Sequence, residues 1–168
     1  LEVAEEGESV VHRVDGPLDP GPVACEIDWP RRFDHMQQHT GQHLLSAVFV
    51  EQLGSATVSF HLGAETSTID LDVPELSASQ IEQVEARANA VVWENRPVDI
   101  RFYSPEEAAS IGLRKPSDRE GTVRVVEIAR CDRTACGGTH VRATGEIGPI
   151  LIRRLDRVRQ SARIEFVC

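Results

Sequence analysis

The chain has 168 residues, 40% hydrophobic and 27% charged, which suits one domain with its own core and excludes a disordered chain. No stretch approaches the roughly 18 apolar residues of a membrane-spanning helix, and the acidic start, LEVAEEGESV, lacks the apolar segment of a signal peptide. A net charge of −9 argues against a nucleic-acid partner until its distribution is read: residues 1–30 hold eight acids and one base, residues 130–168 eight arginines and four acids.

In chain order, Val10–Val14 reads as extended, Asp15-Gly16-Pro17 and Pro20-Gly21-Pro22 as turns, and Val23–Trp29 as a strand. Two or three strands cannot close a sheet, so residues 1–30 are expected to end a larger β unit whose beginning is missing, and Leu1 in place of Met fits a trimmed chain. Phe33–Gly54 is the clearest helix, with Asp34 as N-cap, Gln37 three residues on, an apolar face of Leu44, Leu45, Val48 and Leu53, and Gly54 as its stop. Thr57–Leu62 and Thr68–Val73 alternate like paired strands. A second helix runs from Ser77, capped with Gln80, to about Asn95, burying Ile81, Val84, Ala88, Val91 and Val92. A strand over 98–103, a short helix opened by Ser104-Pro105 and stopped at Gly112, a polar loop over 113–121 and a valine-rich strand over 122–128 follow. Then come a loop with the Cys-Gly-Gly motif and strands near 147–155 and 162–167. Strands and helices mix without βαβ alternation, which predicts an α+β fold with a largely antiparallel sheet.

Four cysteines, Cys25, Cys131, Cys136 and Cys168, form no disulfide framework. Without a secretion signal a reducing, cytoplasmic setting is expected, where clustered Cys and His read as metal ligands. His39 and His43, spaced i, i+4, share one helix face. Cys136-Gly137-Gly138-Thr139-His140 adds a thiolate and an imidazole four residues apart, with glycines that let the loop fold back. Together they form a Cys-His₃ set of the kind zinc favours. His35 shares the face of His39 and is read as a neighbour supporting the ligands or as a surface residue. Cys131 competes with His140 as a ligand, though a small buried apolar side chain is its simpler role. Four protein ligands suit a closed structural site, and positions 40–42 (Thr, Gly, Gln) lack the glutamate base of His-Glu-x-x-His proteases. Catalysis then requires one loose ligand, or an ion that orients substrate. The five arginines Arg153, Arg154, Arg157, Arg159 and Arg163 read either as a solvated strand pair or as a phosphate-facing patch.

The stretch from Arg32 to Ser46 (RFDHMQQHTGQHLLS), Cys136–Val141 (CGGTHV) and Thr144–Gly148 (TGEIG) resemble the editing domain of alanyl-tRNA synthetase and its free-standing relatives, the alanyl-tRNA editing proteins. Ser59–Gly63, Thr68–Asp72, Val123–Val126 and Arg163–Phe166 add to that likeness. The threonyl-tRNA synthetase editing domain shares the paired motifs, but Cys-Gly-Gly-Thr-His points to the alanyl branch. The resemblance covers about residues 31–168 as an editing domain and makes residues 1–30 the tail of a truncated β-barrel. It implies zinc on His39, His43, Cys136 and His140. It also implies hydrolysis of the ester joining serine or glycine to tRNA(Ala), with the tRNA acceptor end as partner and neither DNA nor membrane. Gln42 stands where synthetase-embedded versions often carry Thr. Gln42, Gly137, Gly138 and Thr139 are the candidates for touching the aminoacyl adenosine, and His140 is the candidate catalytic ligand. The alternative is a zinc-stapled tRNA-binding module without activity of its own. A site that hydrogen-bonds a serine hydroxyl rejects alanine by leaving polar groups unpaired, whereas glycine must be selected sterically.

Overall fold

The computed structural model describes residues 2–7, 9–63, 65–117 and 121–168. The longest element is α1 (Trp29–Leu53), which begins four residues before the start expected from the sequence. Asp28 caps it, accepting from the Arg31 amide at 3.2 Å, and Pro30 occupies the first turn, where its missing N–H costs nothing. Asp34, the predicted cap, instead accepts from Gln38 Nε2 one turn on. The predicted stop is in place: Gly54 adopts a left-handed φ of 67° and donates to the Val50 carbonyl.

Ahead of α1, β1 (Glu2–Glu6) and β2 (Ser9–Arg13) form an antiparallel hairpin. The strand expected over 23–29 does not form. The segment is exposed along its length, no strand among the described residues pairs with it, and Trp29 opens α1 instead.

After α1 come β3 (Thr57–Leu62), β4 (Ser67–Leu71), α2 (Ala78–Trp93), β5 (Val98–Tyr103), α3 (Pro105–Ser110), β6 (Val123–Ile128), β7 (Asp132–Ala135), β8 (Leu151–Val158) and β9 (Ser161–Val167). Both later helices open with the capping boxes read from the sequence, Ser77 with Gln80 and Ser104 with Glu107. Two antiparallel sheets result, one in the order β3-β4-β9-β8 and one in the order β5-β6-β7. This is the α+β architecture anticipated. β7 was expected to be loop: its sequence, Asp-Arg-Thr-Ala, carries no apolar alternation, and polar side-chain bonds hold it to its neighbours. The penultimate strand begins at Leu151 and not near 147, because Thr144–Ile147 forms a 3₁₀ turn.

The core joins Leu44, Leu45, Val48 and Phe49 of α1, Val84, Ala88 and Val91 of α2, and Ile69, Leu71, Ile164 and Phe166 of the four-stranded sheet, all fully buried. β6 is buried on both faces, Val126 and Ile128 facing this core and Val123 and Val125 a smaller cluster with Ala108. That is why its sequence reads as a run of valines. Among the described residues no helix is long and apolar enough to cross a membrane.

Candidate metal centre

From Thr40 to Phe49, α1 is buried on every side, so it runs through the molecule and carries polar groups into it. The i, i+4 spacing sets His39 and His43 on one face with ring centroids 5.1 Å apart. Opposite them, the loop leaving β7 brings in Cys136 and His140. The Cys136 amide donates to the Arg124 carbonyl, while the Arg124 guanidinium donates back to the Cys136 carbonyl. Beyond the loop, Thr144 bonds the end of α2 and Gln37 of α1 donates to the carbonyls of Glu146 and Ile147. The Thr-Gly-Glu-Ile-Gly motif therefore docks the loop's exit onto both helices. Gly138 has a packing reason: a Cβ there would overlap the His39 ring.

The donor atoms of His39, His43, Cys136 and His140 all lie within 4.8 Å of one another. Cys136 Sγ is 3.5 Å from Nε2 of His39 and 3.5 Å from Nε2 of His140. Hydrogen-bond partners assign the two buried rings. Thr40 Oγ1 spends its proton on the Met36 carbonyl at 2.7 Å, so it accepts from His140 Nδ1–H at 3.1 Å, and also from the Val141 amide. His43 Nδ1–H donates to Asp132 Oδ2 at 3.2 Å. Both rings therefore keep a lone pair for the centre. His39 is the more open ligand, half-buried and stacked 6.1 Å from the ring of Phe60, itself 54% exposed.

Burial alone would raise the Cys136 thiol, but bonds from His140, His39 and His43 and the Gly138 amide bring it down to about 3, so it is a thiolate. Burial would depress His43, yet its bonds to Asp132 and Cys136 outweigh this and raise it, so the metal-free centre favours its protonated form and ligation requires release of the second ring proton. His140 is lowered, chiefly by burial, which keeps it neutral. Asp132 is lowered despite burial because His43 and Arg114 bond its carboxylate. Three imidazoles and a thiolate, two of the rings oriented by other side chains, are a donor set that fits zinc.

Both competitors for the site fall away. His35 is exposed. Cys131 packs against the core, where burial pushes its thiol up to about 11, and it is not among the four convergent donors. Of the substrate candidates, Gly137 and Thr139 are exposed beside the centre and Gly138 is half-buried. Gln42 is 3% exposed, with Nε2 donating to Ser46 Oγ, which also accepts from Thr57 Oγ1. It is part of a buried polar row and not of the outer rim. Thr40, Asp132, Arg114 and Phe60 were not anticipated. Thr40, between the two histidines, and Asp132, four residues before Cys136, were the only signals available.

Residues 123–165 match the family described as the threonyl and alanyl tRNA synthetase second additional domain. Over 165 residues the chain is 41% identical to alanyl-tRNA editing protein Aarsd1-B of Xenopus laevis, covering 96% of this chain and 40% of that protein. Aarsd1 of Mus musculus is 40% identical over the same shares. AlaX-L of Pyrococcus horikoshii is 36% identical over 90% of this chain and 38% of its own length. The chain is a relative of the alanyl-tRNA editing proteins. It spans about two fifths of the length of the curated relatives it matches. The family match takes in Cys136 and His140 but begins well after His39 and His43, whereas the alignments to the editing proteins, at 96% of the chain, reach across α1 as well.

Proposed function

We propose that this chain is a zinc-dependent aminoacyl-tRNA deacylase that acts in trans on tRNA(Ala) mischarged with serine or glycine, in the cytoplasm. The observation that carries the reading is the convergence of His39, His43, Cys136 and His140 within 4.8 Å beside an exposed glycine loop, in a relative of editing proteins. His39, His43, Cys136 and His140 would hold a zinc ion, which would supply Lewis acidity toward an ester carbonyl. The chain's own residues do the rest. His43 and His140 hold the buried side of the centre, and His39 and Cys136 its more open side. His140 acts from a fixed position, since Thr40 holds its Nδ1, and we assign it the chemical role among the ligands. Gly137 and Thr139 offer exposed backbone and hydroxyl groups to the 3′ adenosine, with Gly138 behind them. Gln42 and Ser46 are buried behind the half-buried Thr57, which is the end of that polar row open to a serine hydroxyl. The same reading makes residues 1–30 the end of a β-barrel and residues 31–168 the editing domain.

The filled set of four protein donors also suits a closed, structural ion. Single-turnover deacylation of alanyl-, seryl- and glycyl-tRNA(Ala), with metal content measured alongside, separates the two. The proposal expects the mischarged esters to be cleaved faster than alanyl-tRNA(Ala) and the activity to be lost with the metal. Zinc-loaded protein that binds tRNA(Ala) but cleaves none of the esters would leave the inert module as the answer. His140→Ala and His39→Ala then assign the role: loss of cleavage with most zinc kept is expected for His140→Ala, and full activity would remove His140 from the chemistry.

A further inference from the structure

We infer that Arg114 and Asp132 are a positioning pair that fixes the tautomer and aim of His43, and thereby the affinity of the four-donor centre. The inference rests on the metal-binding reading above but concerns residues outside the ligand set.

Asp132 is the first residue of β7 and its side chain is fully removed from solvent. A buried carboxylate is tolerated only when it is paired and its lone pairs are used. Here they are. Oδ2 accepts from His43 Nδ1–H at 3.2 Å and from Thr134 Oγ1 at 2.9 Å, and Oδ1 accepts from Arg114 Nε at 2.7 Å. Arg114 Nη2 reaches Thr134 Oγ1 at 3.0 Å, closing the ring of contacts.

Arg114 is 18 residues from Asp132 in the chain, so its arrival needs a cause. The Arg114 amide donates to the Arg133 carbonyl at 2.8 Å, and the Arg133 guanidinium donates to the Ile111 carbonyl at 2.9 Å. The segment after α3 thus lies along β7 and delivers the guanidinium onto the carboxylate.

The consequence falls on His43. Its ring is nearly closed to water, so nothing from solvent replaces a lost partner. With Nδ1–H committed to a carboxylate that is itself charge-paired, the other ring nitrogen presents its lone pair to Cys136, His39 and His140. The three histidines are therefore held in graded fashion: His43 by a charged acceptor, His140 by the neutral Thr40 hydroxyl, and His39, among the described hydrogen bonds, by Cys136 alone. His43 is the anchored ligand and His39 the adaptable one. Orienting partners of this kind are worth about 10–100-fold in metal affinity.

The test uses the full chain, with Asp132→Asn to remove the charged acceptor at constant shape and Arg114→Met to remove the counter-charge together with its bonds to Asp132 and Thr134. Zinc affinity is read by competition with a chromophoric chelator, and the His43 tautomer by long-range ¹H–¹⁵N correlation in the metal-free protein. Asp132→Asn is expected to weaken zinc binding about 10–100-fold and to mix the tautomers. Arg114→Met is expected to act in the same direction by a smaller factor. Wild-type affinity with a wild-type tautomer in Asp132→Asn would overturn the inference. So would a wild-type protein with the His43 proton on Nε2, a measurement that needs no variant to fold. If the wild-type chain binds no zinc, the proposed function fails, while the tautomer in metal-free protein still judges the positioning pair.

Discussion

The two halves of the metal centre are built by different means. His39 and His43 ride on a 25-residue helix whose middle is wrapped by core, so their spacing follows from helical geometry and their depth from Leu44, Leu45 and Val48 beside them. Cys136 and His140 ride on a loop with no regular structure, placed by a handful of bonds from Arg124, Thr40 and the docked Thr144–Ile147 turn. The helical half is preorganised by folding. The loop half is preorganised by individual hydrogen bonds and by Gly138, so single substitutions reach it more easily.

The largest effect is expected where the loop half supplies the charge. Cys136→Ala removes the one thiolate and should lower zinc affinity by at least about a hundredfold, read by chelator competition on the purified chain. Undiminished affinity would show that the loop is dispensable and that the helix binds alone. Gly138→Ala is expected to come next: its Cβ meets the His39 ring, so one half must move, at a cost of about 1–3 kcal/mol in stability by denaturant titration, with weakened zinc binding. Gly41→Ala makes the matching test of the helical half. Its Cβ overlaps Cys168 Sγ, so it should lower stability by a similar amount while leaving zinc affinity within about threefold. Equal zinc losses in both glycine variants would erase the contrast between the halves.

Away from the centre, Asp70 accepts two bonds from Arg163, at 2.7 and 2.8 Å, and one from Ser59, and the Arg163 bond holds its carboxyl below the ordinary value of 3.8. A depressed carboxyl contributes stability that is present above its unfolded pKa and lost as pH falls through the folded one. Arg163→Met should therefore cost about 0.5–1 kcal/mol at neutral pH, and the difference from wild type should shrink below about pH 4. A pH-independent difference would assign the loss to packing. The smallest effect concerns tRNA. Arg153 pairs with Glu165, Arg154 with Asp156 and Arg157 with Glu75, so this basic segment is largely neutralised by its own neighbours. Replacing Arg153 and Arg154 together should reduce the salt slope of tRNA binding by no more than about one phosphate contact each. An unchanged slope would take the segment off the RNA-facing surface.

What could be read from the sequence follows the same division. Helix periodicity, capping boxes and the two ligand pairs are local patterns, and Ser77 with Gln80, Ser104 with Glu107, and His39 with His43 lie where those patterns put them. The start of α1 was misread because two aspartates compete for the cap, and only Asp28 has proline two residues on. β7 was missed because polar contacts that span the chain, not apolar alternation, hold it. Asp132 and Arg114 were invisible for the same reason: a buried polar network leaves no period in a sequence. Gln42 reads in the sequence as a candidate for touching the aminoacyl adenosine, yet α1 has no exposed face at that depth.

The separation of the ligands along the chain has a kinetic consequence. His39 and Cys136 are 97 residues apart, with both sheets' central strands formed from segments between and beyond them. An ion held by both closes a loop of that length, a constraint that weighs heavily on the unfolded ensemble, by analogy with a crosslink of similar span. The two pairs cannot meet until α1 and the β5-β6-β7 sheet have docked, so four-coordinate binding waits for the whole fold. Metal uptake from the unfolded chain should then proceed no faster than folding itself, and a chelator should extract the ion at a rate set by how often the loop lifts from the helix.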